Sequence, residues 1–169
     1  TDPFKPASIQ EPDASPIGKD EVGKSFGDFT DDIEKQKVAE VEKLTGELDN
    51  LLKQNKYNYA DPKIIQIADK ILKTDPKNVD AYFYKIGTQY QIGDMKAVLK
   101  TTDAMIKNNP DDPIGYELRS FTKRQNGDLA GAIEDLEKAI ELDPESEYIA
   151  YNEMELADLK FQEAEAETD

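Results

Sequence analysis

The chain has 169 residues, 37% of them hydrophobic and 34% charged, with a formal net charge of −16. It contains neither cysteine nor histidine, which excludes disulfides, thiolate metal sites, Cys nucleophiles and any Ser-His-Asp relay, so neither catalysis nor a bound metal or cofactor is expected. The acidic balance turns away duplex nucleic acid and anionic membrane surfaces, which need clustered Lys and Arg, and no apolar run approaches a membrane span.

The chain opens on Thr1 rather than Met, as expected of a processed or a trimmed product, and carries no secretory or transit segment as it stands. Pro3, Pro6, Pro12, Pro16, Gly18, Gly23 and Gly27 predict an extended tail over residues 1–29. Its candidate anchors, onto the rest of the chain or onto a partner, are Phe4, Ile9, Ile17, Phe26 and Phe29. Within the tail, Gly18 to Ser25 fits the phosphate-loop spelling G-x-x-x-x-G-K-[ST]. That mechanism needs a buried strand before the loop and a helix starting inside it, so that backbone N–H groups face the phosphates. Here Pro12 and Pro16 precede it, Gly27 comes after it, and Asp20 and Glu21 would repel phosphate. A nucleotide hydrolase working through Lys24 is therefore the remotest functional reading.

Thr30 followed by Asp31 and Asp32 signals a helix start, and the helix runs to about Asn55. Its stripe of Val41, Leu44, Leu48 and Leu51 is too short for a coiled coil and is expected to pack within the first helical unit. Asp61-Pro62 is a second helix start, with Ile64, Ile65, Ile67, Ala68 and Ile71 as its apolar residues. From there an internal period takes over. Pro76, Pro110 and Pro144 are 34 residues apart, as are Gly93-Asp94 and Gly127-Asp128, Tyr82 and Tyr116, Val98 and Ala132, and Ile106 and Ile140. Gly ends one helix, Asp caps the next, and Pro stops the second helix of each unit. A last helix is expected over 145–161, packed through Ala150, Met154, Ala157 and Phe161, with an acidic tail over 162–169. Residues 145–169 carry a net charge of −8, half of the total.

The unit running from Tyr116-Glu-Leu-Arg119 through Asn126-Gly127-Asp128 to Leu142-Asp143-Pro144 resembles a tetratricopeptide repeat (TPR) over its full length. Residues 79–112 resemble it with departures at Thr102 and Met105, and 41–78 form a degenerate copy with four extra residues near Tyr59. The resemblance implies an all-α fold, a right-handed superhelical stack of about three helix pairs spanning 30–144 (41–78, 79–112, 113–144), closed by the 145–161 capping helix.

It also implies a concave groove for a partner segment. In the 34-residue register the groove places hold Phe83, Tyr84, Tyr90, Gln91, Leu118, Phe121, Arg124 and Gln125, with Tyr148, Tyr151 and Asn152 from the last helix. Aromatics and Arg on an exposed concave face are the usual energetic anchors of peptide recognition. The places where some family members clamp a chaperone's C-terminal carboxylate hold Thr45, Asp49, Tyr84, Ile114 and Leu118, which cannot do so. The resemblance therefore implies a non-enzymatic interaction scaffold or accessory subunit within a multi-subunit complex, with the N-terminal tail as a second contact. The charged ends suggest a basic surface on the partner. A chaperone for an exported or membrane-inserted client is the alternative.

The Gly18–Ser25 string yields a direct expectation: no ATP or GTP binding at millimolar concentration in equilibrium dialysis. Saturable binding lost in Lys24→Ala would overturn it.

Overall fold

A computed structural model of the chain describes residues 26–166, and every described element is helical. The chain divides into two compact units, Thr1–Val38 and Ala39–Asp169. Helix α1 (Phe26–Gln54) contributes its first residues to the former and the rest to the latter. It begins earlier than the sequence predicts. The Thr30 hydroxyl does not cap the helix but bonds back to the Gly27 carbonyl at 2.8 Å, three residues earlier, as a hydroxyl inside a helix does. Phe26 and Phe29 thus lie in α1, not in an extended tail. Phe4, Ile9, Ile17 and the Gly18–Ser25 string lie outside the described residues.

The second unit continues with α2 (Pro62–Thr74), α3 (Val79–Gln91), α4 (Met95–Asn108), α5 (Pro113–Gln125), α6 (Leu129–Leu142) and α7 (Ile149–Ala166). The pair α5–α6 repeats α3–α4 with both ends of both helices displaced by 34 residues. Local chemistry sets these boundaries. Asp61, Asn78, Asp94, Asp112 and Asp128 each accept a backbone N–H of the first turn that no helical carbonyl can reach. Gly93 and Gly127 sit at φ of 82° and 80°, where a side chain would strain the backbone. The first connection is the irregular one. There Lys56 and Tyr57 take left-handed angles, and the Asn55 amide donates to Asp61 Oδ2 at 2.7 Å, tying the end of α1 to the start of α2.

The core runs along the stack as a chain of small clusters. Leu44, Ala68, Ile71 and Ala81 join α1, α2 and α3; Tyr82, Ile86, Val98 and Met105 join α3 and α4; Ala132, Ile133, Leu136 and Leu159 join α6 and α7. Burying each large side chain contributes roughly 2 kcal/mol. The repeated tyrosines span junctions. Tyr82 Oη donates to the Pro76 carbonyl at 3.2 Å and accepts from the Asn108 amide at 2.7 Å, and Tyr116 Oη donates to the Pro110 carbonyl at 3.3 Å. At the α4–α5 crossing a methyl group on Gly115 would lie 2.9 Å from Ile106 Cγ1, so close approach requires glycine there.

Helix α7 corrects the sequence twice. The stripe expected to pack leaves Met154 and Phe161 more than 60% exposed, while Leu159 and Asn152 are buried and Leu156 is packed. The reason lies in α5. Arg124 bonds Glu155 and, at 2.6 Å, Asp158, and Asn152 donates to Glu117 at 2.6 Å, so these polar partners rotate Leu159 into the Ala132–Leu136 pocket. The helix also runs to Ala166 rather than 161. Glu163-Ala-Glu-Ala has high helix propensity, and the Gln162 amide donates to Asp158 one turn earlier at 2.7 Å.

One polar cluster is buried. The Asp135 carboxylate on α6, 4% exposed, accepts Arg119 Nε at 2.8 Å, Arg119 Nη2 at 2.6 Å and Lys123 Nζ at 2.8 Å, while Arg119 Nη1 reaches Asp103 on α4 at 2.7 Å. The bonds to Asp135 raise the Arg119 pKa further. Breaking this cluster strands two cations against a neutral group. In chemical denaturation, Asp135→Asn is expected to cost about 3–5 kcal/mol. Asp103→Asn, at a carboxylate 61% exposed, is expected to cost under about 1 kcal/mol. Equal losses would refute the buried role of Asp135.

Candidate functional site

Stacking leaves one side of α3, one side of α5 and the start of α7 uncovered, and large apolar groups collect there. Phe83 and Tyr90 on α3, Phe121 on α5, and Tyr148 and Tyr151 at α7 are all at least 40% exposed. Tyr90 and Phe121 meet across the two helices, ring centroids 5.7 Å apart and tilted by 50°. Beneath them lies an apolar recess of about 180 Å³ lined by Phe83, Ile86, Gly87, Tyr90, Leu118 and Phe121. Next to it a hollow of about 610 Å³ runs from Phe83 and Leu118 to Tyr148, and another of about 300 Å³ from Phe121 to Tyr148 and Tyr151. Phe83, Leu118, Phe121 and Tyr148 are shared walls, so the three form one continuous surface.

The rim of that surface is acidic. Glu117, Asp143, Glu145, Glu147 and Glu155 line the two larger hollows. Arg124 does not offset them toward a ligand. Glu155 first, then Asp158, take up its guanidinium and raise its pKa. A ligand that fits here brings apolar side chains for the recess and cations for the rim.

Gly87 is the residue at the floor of the recess. It lies in the middle of α3, where glycine weakens a helix by about 0.5–1 kcal/mol relative to alanine. A Cβ built on it meets nothing within 4 Å, so packing within the chain does not account for it. In the 34-residue register its counterpart on α5 is Phe121. A ring on one helix therefore faces an absent side chain on the other, which is what creates the recess.

No protein-family model and no curated protein sequence matches the chain. Solved structures do match it. The chain is similar to the first TPR domain of human RPAP3, at 19% identity and a TM-score of 0.60, covering 76% of this chain and 96% of that one. It is likewise similar to PcrH in complex with the chaperone binding region of PopD, at 16% identity and a TM-score of 0.60, covering 72% and 92%. MamA 41-end from Desulfovibrio magneticus RS-1 matches at 23% identity and a TM-score of 0.57, covering 76% and 68%. The chain has the TPR fold.

Within the TPR fold the residues assigned to the groove by register fall into four groups. Phe83, Tyr90, Phe121, Tyr148 and Tyr151, with half-buried Leu118, form the continuous surface, and Gln91 and Gln125 are exposed at the C-terminal ends of α3 and α5. Arg124 is occupied by α7. Tyr84 serves packing instead, while Asn152 stays on the wall of the hollow of about 300 Å³. Tyr84 stacks on Tyr59 at 6.3 Å against the Leu48–Leu52–Ile64 cluster, where burial, then the Asp49 carboxylate, push its phenol pKa up. Asn152 is 6% exposed and bonded to Glu117. Gly87 and the acidic rim escaped the sequence reading. Gly87 shows no side chain to single out, although its register place, opposite Phe121, was the available signal.

These roles separate in thermal and chemical denaturation. Phe83→Ala and Phe121→Ala should cost less than about 1.5 kcal/mol, since the rings are largely exposed, whereas Tyr82→Ala should cost about 3–5 kcal/mol as a core truncation. Comparable losses at all three would make the aromatic face part of the core.

Proposed function

We propose that the chain is a non-enzymatic interaction protein, a scaffold or accessory subunit that holds a partner segment on the α3–α5–α7 face. The observation that carries this reading is the recess over Gly87. It is an opening that the chain's own packing does not explain, walled by Phe83, Tyr90 and Phe121. Contiguous exposed apolar surface with a polar rim marks an interaction site, and buried aromatic anchors supply most of the affinity of such sites. The segment it fits is extended or helical, with one apolar side chain for the recess and Lys or Arg beside it for the acidic rim.

Two proteins of similar fold support the mode of use. PcrH is solved with the chaperone binding region of PopD, and the first TPR of Spaghetti (RPAP3) with the HSP90 peptide SRMEEVD. An acidic peptide of the latter kind does not suit this face, whose rim is itself acidic and whose clamp places hold Thr45, Asp49, Tyr84, Ile114 and Leu118. The residues before α1, with Phe4, Ile9 and Ile17 interspersed among four prolines and two glycines, suit an extended second contact. The PcrH complex also keeps the chaperone reading in view. A chaperone releases its client, whereas a subunit copurifies with its partner at fixed ratio.

Gly87→Phe fills the recess without replacing any core side chain and tests the reading. Affinity purification of the tagged chain from its native source should recover a partner at fixed ratio. The Gly87→Phe variant should lose that partner at a melting temperature no lower than the parent's, and deletion of residues 1–25 should weaken its recovery. Undiminished recovery with Gly87→Phe would refute the face. Release of the partner on transfer to a membrane or export fraction would favour the chaperone.

A further inference from the structure

A second cavity, of about 540 Å³, lies on a different side of α3, in the furrow between α2 and α4. Asp69, Lys73, Lys85, Gln89, Lys100 and Thr101 supply its polar wall. Three lysines against one aspartate make it cationic in a chain of net charge −16. Its floor holds Gln89, 6% exposed, whose buried Oε1 has no hydrogen-bond partner. A buried acceptor left unpaired costs free energy until a donor reaches it.

The molecule contains the completed version of this furrow. A shift of 34 residues carries Asp69 to Asp103, Lys85 to Arg119, Gln89 to Lys123 and Thr101 to Asp135. Half of the ionic cluster is common to both furrows. Lys85 Nζ meets Asp69 at 2.6 Å as Arg119 Nη1 meets Asp103 at 2.7 Å. The other half differs. Between α4 and α6 the buried Asp135 carboxylate accepts Arg119 and Lys123. Between α2 and α4 that carboxylate is replaced by Thr101, and the place of Lys123 is taken by Gln89 with its orphaned oxygen.

We infer that the α2–α4 furrow is a second binding site, in which an acidic side chain of a peptide segment stands where Asp135 stands in the sister furrow. Lys85 and Lys100 receive the carboxylate, and an N–H of the same segment donates to Gln89 Oε1. A peptide fits better than a free carboxylate for two reasons. It brings the anion and the N–H donor together, and a volume of 540 Å³ exceeds what a lone carboxylate fills. The site lies apart from the aromatic face and has the opposite charge preference, so the chain can hold two segments of different chemistry at once.

The test uses the isotope-labelled full chain and the blocked peptide acetyl-Gly-Glu-Glu-Gly-amide, monitored by amide chemical shifts. Saturable shifts are expected at Lys85, Lys100 and the Gln89 side-chain amide, with none at Tyr90 or Phe121, and they should persist in Gly87→Phe. Lys100→Glu, at an exposed position, should weaken binding at least about tenfold, as reversal of a contacting charge does. Thr101→Asp should abolish it and raise the melting temperature, because it supplies the missing carboxylate; if that variant does not fold, Lys100→Glu decides. The inference falls if no shifts saturate at about 10 mM peptide, well above a millimolar Kd. It falls equally if both variants bind as the parent does, or if acetate or phosphate alone gives the same shifts, which would mean an adventitious ion only.

Discussion

A pair of helices this short cannot cover its own apolar side chains, and the rest of the second unit depends on that constraint. Helix α3, 13 residues long, buries Ala81, Tyr82 and Ile86, and these meet apolar partners only because α2 lies on one side and α4 on the other. Tyr82 concentrates the arrangement in one residue. Its ring lies in the α3–α4 cluster while its hydroxyl reaches the Pro76 carbonyl ahead of α3 and the Asn108 amide at the end of α4. Each pair therefore completes the one before it, and α7 completes the last by placing Leu159 against Ala132, Ile133 and Leu136.

Because every middle helix is wedged between neighbours, each keeps a free side, and the chemistry of those sides is where the units diverge. Along α3, α5 and α7 the free sides are aromatic and rimmed with carboxylates. In the furrows floored by α3 and α5 they are ionic. The same register place closes one furrow through Asp135 and leaves the other open at Thr101. Repetition thus provides its own control: two furrows on one backbone plan, differing by named side chains.

The charge distribution suits the proposed role of holding a partner segment. In the proposed role, apolar burial in the recess over Gly87 would supply affinity, while the carboxylates around it would steer cationic segments in and turn acidic ones away. Arg124 illustrates how the fold commits a charge. Its register place is on the groove, yet Glu155 and Asp158 draw it to α7, where it fixes the capping helix rather than a ligand.

Much was legible in the sequence because it is local. Asp94 and Asp128 cap the next helix, Gly93 and Gly127 turn the chain, and the prolines close each unit, all through contacts within a few residues. The period of 34 then implied stacking, and the exposed aromatic places came from register. What the sequence could not decide were questions of rotation and competition. Whether α7 buries Phe161 or Leu159 depends on Arg124, more than 30 residues away, and whether Tyr84 faces a ligand or Tyr59 depends on how α1 lies against α3. The recess at Gly87 and the orphaned oxygen of Gln89 belong to the same class. Each is an absence, of a side chain or of a partner, and it exists only once neighbouring helices have been brought within a few ångströms.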